Sequence, residues 1–178
     1  MITDKLPEPG SAMYHFGQRG AQPSGNETIV RVWPKGGNPW FGVFPHGQSG
    51  HAETTGLHIW PSTSKLFVVA RGSGFLVDTS NPNNWSAAQL SPITCFHSEA
   101  IDGLFLISDN LRVAAYSSRK LLWKSAQISW NGIRNLRVNS EGVMGEAWDD
   151  LWEAWVSFLI DPETGRHQGG ATFSFDQS

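Results

Sequence analysis

Two heptads, WSAAQLS (85–91) and WKSAQIS (123–129), recur 38 positions apart in a chain of 178 residues. Residues 66–91 laid over 104–129 match Leu66 with Leu104, Phe67 with Phe105, Ser80 with Ser118 and Trp85 with Trp123. Ala88 and Gln89 also match Ala126 and Gln127, and Ser91 matches Ser129. The apolar runs agree as well: LFVVA and LFLIS open the two segments, and GFLVD and RVAAY follow. A chain that returns to the same short apolar runs between turn formers is restricted to a series of small β units. Such units cannot bury their faces alone and must stack.

Degraded copies flank this pair. VMGEAW (143–148) and WVSFLID (155–161) read as the first strands of a later unit, with PETGR in the turn position. TIVRVW (28–33) and WFGVF (40–44), around PKGGNP, read as an earlier one. The expected fold is all-β, in about four antiparallel units of roughly 38–45 residues. They form a single domain: units 27–64, 65–102, 103–142 and 143–178, after an N-terminal extension 1–26. The rhythm of LFLISDNLRVAAYSSRKLLW and FLIDPETGR resembles the blades of a β-propeller of the WD40 or quinoprotein kind. That resemblance implies a small propeller-like or curled multi-sheet arrangement. A curled sheet closed by homo-oligomerisation is a further arrangement that such units allow. Further strands are expected at 57–60, 65–70, 74–78, 85–90, 93–99, 112–117, 121–125, 133–138 and 171–175. Asn131-Gly132 is the strongest hairpin signal, because both residues tolerate positive φ.

One segment resists the pattern. In EAWDDLWEAWVSFL, residues Trp148, Leu151, Trp152, Trp155 and Leu159 fall at helical spacing. A helix from Glu146 to Ile160, within a β-sandwich, is the alternative to a hairpin. The flanks favour the hairpin, since tertiary context overrides a local period.

Composition removes several functional classes. The net charge is −3 and no basic stripe is present, so the phosphate-neutralising surface that nucleic acid requires is missing. Anionic membranes are disfavoured for the same reason, and no run approaches the ~20 apolar residues of a membrane span. A single cysteine, Cys95, precludes an intrachain disulfide. The first residues carry no apolar run of signal-peptide length, so a cytoplasmic location is expected.

The candidate sites each compete with a structural role. His46, His51 and His58, with Glu53, bring three imidazoles and a carboxylate within 13 residues. If three of them converged they would suit zinc and a metal-dependent hydrolase, although the spacing matches no established metal motif. The alternative is a solvated Gly-rich loop. Glu146, Asp149, Asp150 and Glu153 could serve as a carboxylate cluster or as a solubilising surface. Trp148, Trp152 and Trp155 could stack on sugar rings or anchor a partner, or simply fill the core. Trp85 and Trp123 are expected to pack at equivalent joints, each indole N–H meeting a backbone carbonyl. Cys95 and His97 share a strand face but lack an aligned third group.

The reading that best fits is a non-catalytic binding domain that recognises a protein partner, of the kind a toxin-neutralising immunity protein or an assembly factor represents. Nine tryptophans supply anchors for such an interface. A carbohydrate- or small-ligand-binding module is the second reading, and the metal-dependent hydrolase the third.

Overall fold

The structure is a computed structural model. It describes residues 1–2, 10–17, 25–47, 54–60, 63–98 and 104–173. Among these residues there is no helix; fifteen strands form four sheets. The chain divides into two compact units, Met1–Pro92 and Ile93–Ser178.

Unit 1 holds two sheets. The first contains β1 (Ala12–His15), β2 (Glu27–Val32) and β3 (Trp40–Pro45), in the order β1-β3-β2. β2 and β3 are antiparallel, whereas β1 joins β3 in parallel. The second sheet runs in chain order through β4 (Gly56–Trp60), β5 (Lys65–Ala70), β6 (Ser73–Asp78) and β7 (Trp85–Ala87). Alternation decides which side chains of β2 go inward: Val30 and Val32 are buried while Arg31 is exposed. β5 is the run LFVVA, apolar at every position, and it is buried throughout that run. Phe16, Val30, Val32, Trp40 and Phe44 close one core with Leu66, Val68, Phe75 and Val77. Each such large side chain contributes about 1.5–3 kcal/mol when fully buried. Phe16 stacks flat on Phe44 with ring centroids 4.3 Å apart. This contact needs Gly42, because a Cβ there would lie 2.5 Å from the Phe44 ring.

Unit 2 repeats the scheme with two four-stranded antiparallel sheets. The first comprises β8 (Cys95–Ser98), β9 (Phe105–Ser108), β10 (Val113–Tyr116) and β11 (Leu121–Lys124). The second comprises β12 (Ile133–Asn139), β13 (Gly142–Asp149), β14 (Ala154–Ile160) and β15 (His167–Gly169). Leu106, Val113, Trp123 and Ile128 pack there with Ile133, Val143, Ala147, Phe158 and Ile160.

Each four-stranded sheet opens one strand earlier than the seams expected at 65, 103 and 143, since β4, β8 and β12 belong with the strands that follow them. The 38-residue offset carries the pair Val77↔Trp85 onto Ala115↔Trp123, in matching register. It does not carry Phe67 onto Phe105. Two residues, Arg71 and Gly72, join β5 to β6, whereas four residues, 109–112, join β9 to β10. The extra two slide β9 by two positions. Because the strand period is also two, the inward face stays apolar.

Three local expectations are corrected. The expected N-terminal extension 1–26 contains a strand, β1. Among the described residues the last strand is His167–Gly169; Ala171–Phe173 has no strand pairing, and residues 174–175 of the expected strand fall outside the described residues. Asn131-Gly132 forms no hairpin; the two-residue turn with positive φ at both positions is Arg71-Gly72, with φ of 43° and 91°.

The helix alternative fails at Asp149. Seven cross-strand pairs join Val143–Asp149 to Ala154–Ile160. The Asp149 carboxylate accepts the N–H groups of Leu151 and Trp152, which turns the chain back on itself. A short carboxylate that captures nearby backbone donors in this way competes directly with helix formation.

Candidate functional site

The carboxylates and tryptophans expected to bind gather at one end of the β12–β15 sheet, on the tip of the β13–β14 hairpin. Asp149 is 1 % exposed. Its carboxylate accepts from Leu151 N–H at 2.8 Å, Trp152 N–H at 3.4 Å and Thr172 N–H at 2.8 Å. Burial alone would raise its pKa, but the backbone donors outweigh burial and hold it below the usual carboxylate range. Asp149 therefore positions the tip and pins it to the segment around Thr172. Asp150, on the exposed side, accepts the Trp148 indole N–H at 2.7 Å.

Of the three tryptophans, Trp148 and Trp155 face each other across the strands, edge to face at 5.5 Å. The Arg134 guanidinium lies 4.1 Å from the Trp155 ring centroid. Glu146 holds Arg134 there by a 2.8 Å ion pair and also accepts from Asn135. These two donors, Arg134 first, lower the Glu146 pKa. The Trp148–Trp155 pair is thus a half-buried brace. Trp152 differs: it is 69 % exposed, beside the exposed Leu151.

Two aromatic residues that the sequence did not single out join this end. Trp130 and Phe173 are each 41 % exposed, with ring centroids 5.1 Å apart. The Trp130 indole N–H donates to Thr172 O, and its backbone N–H donates to Trp148 O. Buried Ser129 strengthens the tie, donating to Gly132 O at 2.6 Å and accepting from Trp148 N–H at 3.0 Å. Three segments that are distant in sequence therefore present Trp130, Leu151, Trp152 and Phe173 from one well-bonded end of unit 2. The only sequence signal was a tryptophan placed beside an Asn-Gly turn, where a polar residue is the usual choice.

The histidines lie elsewhere, in unit 1. His46 follows β3, where its Nε2 is 3.1 Å from Thr28 Oγ1. Burial, then Arg71, lowers its pKa. His58 is buried on β4, edge to face with Trp60 at 4.3 Å, and burial lowers its pKa as well. His51 and Glu53 fall outside the described residues. Among the described residues no three or more His, Cys, Asp or Glu side chains gather closely enough to hold a metal ion. Cys95 is half-buried, and burial pushes its thiol pKa up, away from the reactive thiolate.

The recurring tryptophans also separate. The Trp123 indole N–H donates to Pro162 O at 2.6 Å. Trp85 instead sits half-buried against Phe16 at 5.7 Å and Phe75 at 5.9 Å. In unit 1 the Trp40 indole N–H meets a carbonyl as that of Trp123 does, donating to Thr79 O at 2.9 Å.

Neither protein-family models nor curated proteins match this chain. No helix among the described residues is long and apolar enough to cross a membrane.

Proposed function

We propose that this chain is a non-catalytic protein-binding domain whose contact surface is the aromatic end of unit 2. The observation that carries this reading is Trp152: a large apolar side chain, 69 % exposed, on a turn fixed by a buried carboxylate. Holding such a residue in place beforehand lowers the ordering cost of association, which is what makes exposed tryptophans effective interface anchors. Trp130, Leu151 and Phe173 widen the apolar surface around it. The three four-stranded meanders, each in chain order, support a blade-like repeat as the rigid scaffold behind it.

A sugar platform fits this end less well. Stacking a pyranose needs an open ring face, and Trp155 has Arg134 over its ring while Trp148 is engaged edge to face with Trp155. The Trp148 indole N–H is also taken, by Asp150.

The test is affinity purification of the tagged chain from native extract, in parallel with Trp152→Asp. The wild type should return one protein at near-stoichiometric yield and the variant should lose it, while both melt at the same temperature. Recovery of the chain alone, or a partner retained by the variant, would overturn the proposal.

A further inference from the structure

In unit 1, β2 and β4 are the outer strands of their two sheets. A cleft of about 480 Å³ opens where β2 ends and β4 turns into β5. Clefts of roughly 300–1,000 Å³ accommodate small organic ligands. The floor is apolar: Val32, Trp60 and Leu66 are all buried. Above the floor stand two large apolar side chains left in solvent, Trp33 at 54 % and Ile59 at 59 % exposure.

The charge at the cleft has one sign. Arg31, Lys35 and Lys65 line it, and no described lining residue is acidic. Lys65 is already engaged, 3.0 Å from the Asp78 carboxylate beneath it. Arg31 and Lys35 have no carboxylate partner among the described residues. The Arg31 guanidinium instead lies 4.5 Å from the Trp33 ring centroid and 5.5 Å from that of Phe41. Stacking on an aromatic ring engages the face of a guanidinium and leaves its in-plane N–H fork free to meet a carboxylate. Two of the lining hydroxyls are already engaged: Thr63 donates to Trp60 O and Thr79 donates to Ser64 O.

We infer that this cleft binds a small organic anion with a flat apolar body, an arene carboxylate being the simplest form. The carboxylate meets the Arg31 fork and the Lys35 ammonium. The ring lies against Ile59 and the face of Trp33 that Arg31 leaves open, above Trp60. Charge and shape select the ligand together: a neutral arene leaves the two cations unmatched, and a compact inorganic anion leaves the apolar surface wet. The site lies in the other unit from the proposed protein-binding end, so the two stand or fall separately.

The test uses the full chain, ¹⁵N-labelled, titrated with 2-naphthoate while amide and indole N–H resonances are followed. Binding should saturate with a Kd below about 1 mM, with the largest shifts at the Trp33 and Trp60 indoles. Replacing the probe by neutral 2-naphthamide, or the protein by Arg31→Gln, should each weaken binding about tenfold or more. Trp33→Ala should weaken it similarly, and Trp152→Ala should leave it unchanged. Arg31, Lys35 and Trp33 are exposed, so the variants' amide spectra should overlay the wild type. If Arg31→Gln disturbs that spectrum, Lys35→Gln carries the same test. Failure to saturate, equal affinity for naphthoate and naphthamide, displacement of naphthoate by equimolar inorganic phosphate, or wild-type affinity in Arg31→Gln and Trp33→Ala would each overturn the inference.

Discussion

Trp123→Phe separates two tryptophans that look interchangeable in sequence. The indole of Trp123 is buried among Leu106, Ile133 and Phe158, and its N–H donates to Pro162 O at 2.6 Å. Gly165, at φ +73°, passes so close that a Cβ there would lie 2.9 Å from the ring. Phenylalanine keeps the apolar contact but loses the bond, a net cost of about 1 kcal/mol. The smaller ring also leaves a gap of roughly 30–40 Å³, which at ~24 cal/mol per Å³ costs about 1 kcal/mol more. Together these destabilise unit 2 by about 2 kcal/mol. A unit the size of Ile93–Ser178 loses about 4–8 °C per kcal/mol, so its melting temperature should fall by about 8–16 °C. Trp85→Phe removes only part of a half-buried packing contact with Phe16 and Phe75, and should cost less than about 1 kcal/mol. Differential scanning calorimetry of both variants reads this directly. Equal shifts, or a fall of less than about 3 °C for Trp123→Phe, would refute the reasoning.

Other expectations follow from the same packing and hydrogen bonds. At Gly142, φ is +142° and a Cβ would sit 2.5 Å from Ile160 O; Gly142→Ala should destabilise unit 2 by about 2 kcal/mol or more in urea titration. Asp149→Ala strips three backbone donors of their acceptor, so limited proteolysis should cut the 150–153 turn faster than in the wild type. At Asp78, burial would raise the carboxyl pKa, but the Ser80 hydroxyl and the Lys65 ammonium hold it at about 2. A depressed folded-state value contributes stability above the unfolded pKa that is lost as pH falls, here between roughly pH 4 and pH 2. Asp78→Asn should therefore flatten that part of the acid limb in melting experiments across pH. Trp152→Ala should change stability by no more than about 0.5 kcal/mol, which makes it a clean probe of binding.

Much of the β architecture was legible because the strand signal is local. Runs such as LFVVA and GFLVD are apolar, rich in strand-forming residues and bounded by turn formers, and they became β5 and β6. The 38-residue offset relates the pairs Val77↔Trp85 and Ala115↔Trp123, although the surroundings of the two tryptophans differ. What stayed hidden depends on distant partners. β1 is four residues long and exists through its parallel pairing with β3, nearly thirty positions away. The two-residue slide of β9 comes from turn length, and an apolar pattern of period two cannot register it. The hairpin tip was expected to carry a site, but Trp130 and Phe173 reach it through bonds between distant segments, among them Trp130 N–H to Trp148 O and Thr172 N–H to Asp149. The cleft in unit 1 combines two edge strands from different sheets, so Arg31 and Ile59 had no reason to be read together.

Photo-crosslinking from the hairpin tip tests the binding proposal most directly. A p-benzoylphenylalanine in place of Trp152 should, on irradiation in native extract, give one discrete adduct with a different protein. The same probe in place of Thr164, exposed in the turn between β14 and β15, should give none. Absence of an adduct from position 152, an adduct at twice the chain's own mass, or the same products from both positions would contradict the account.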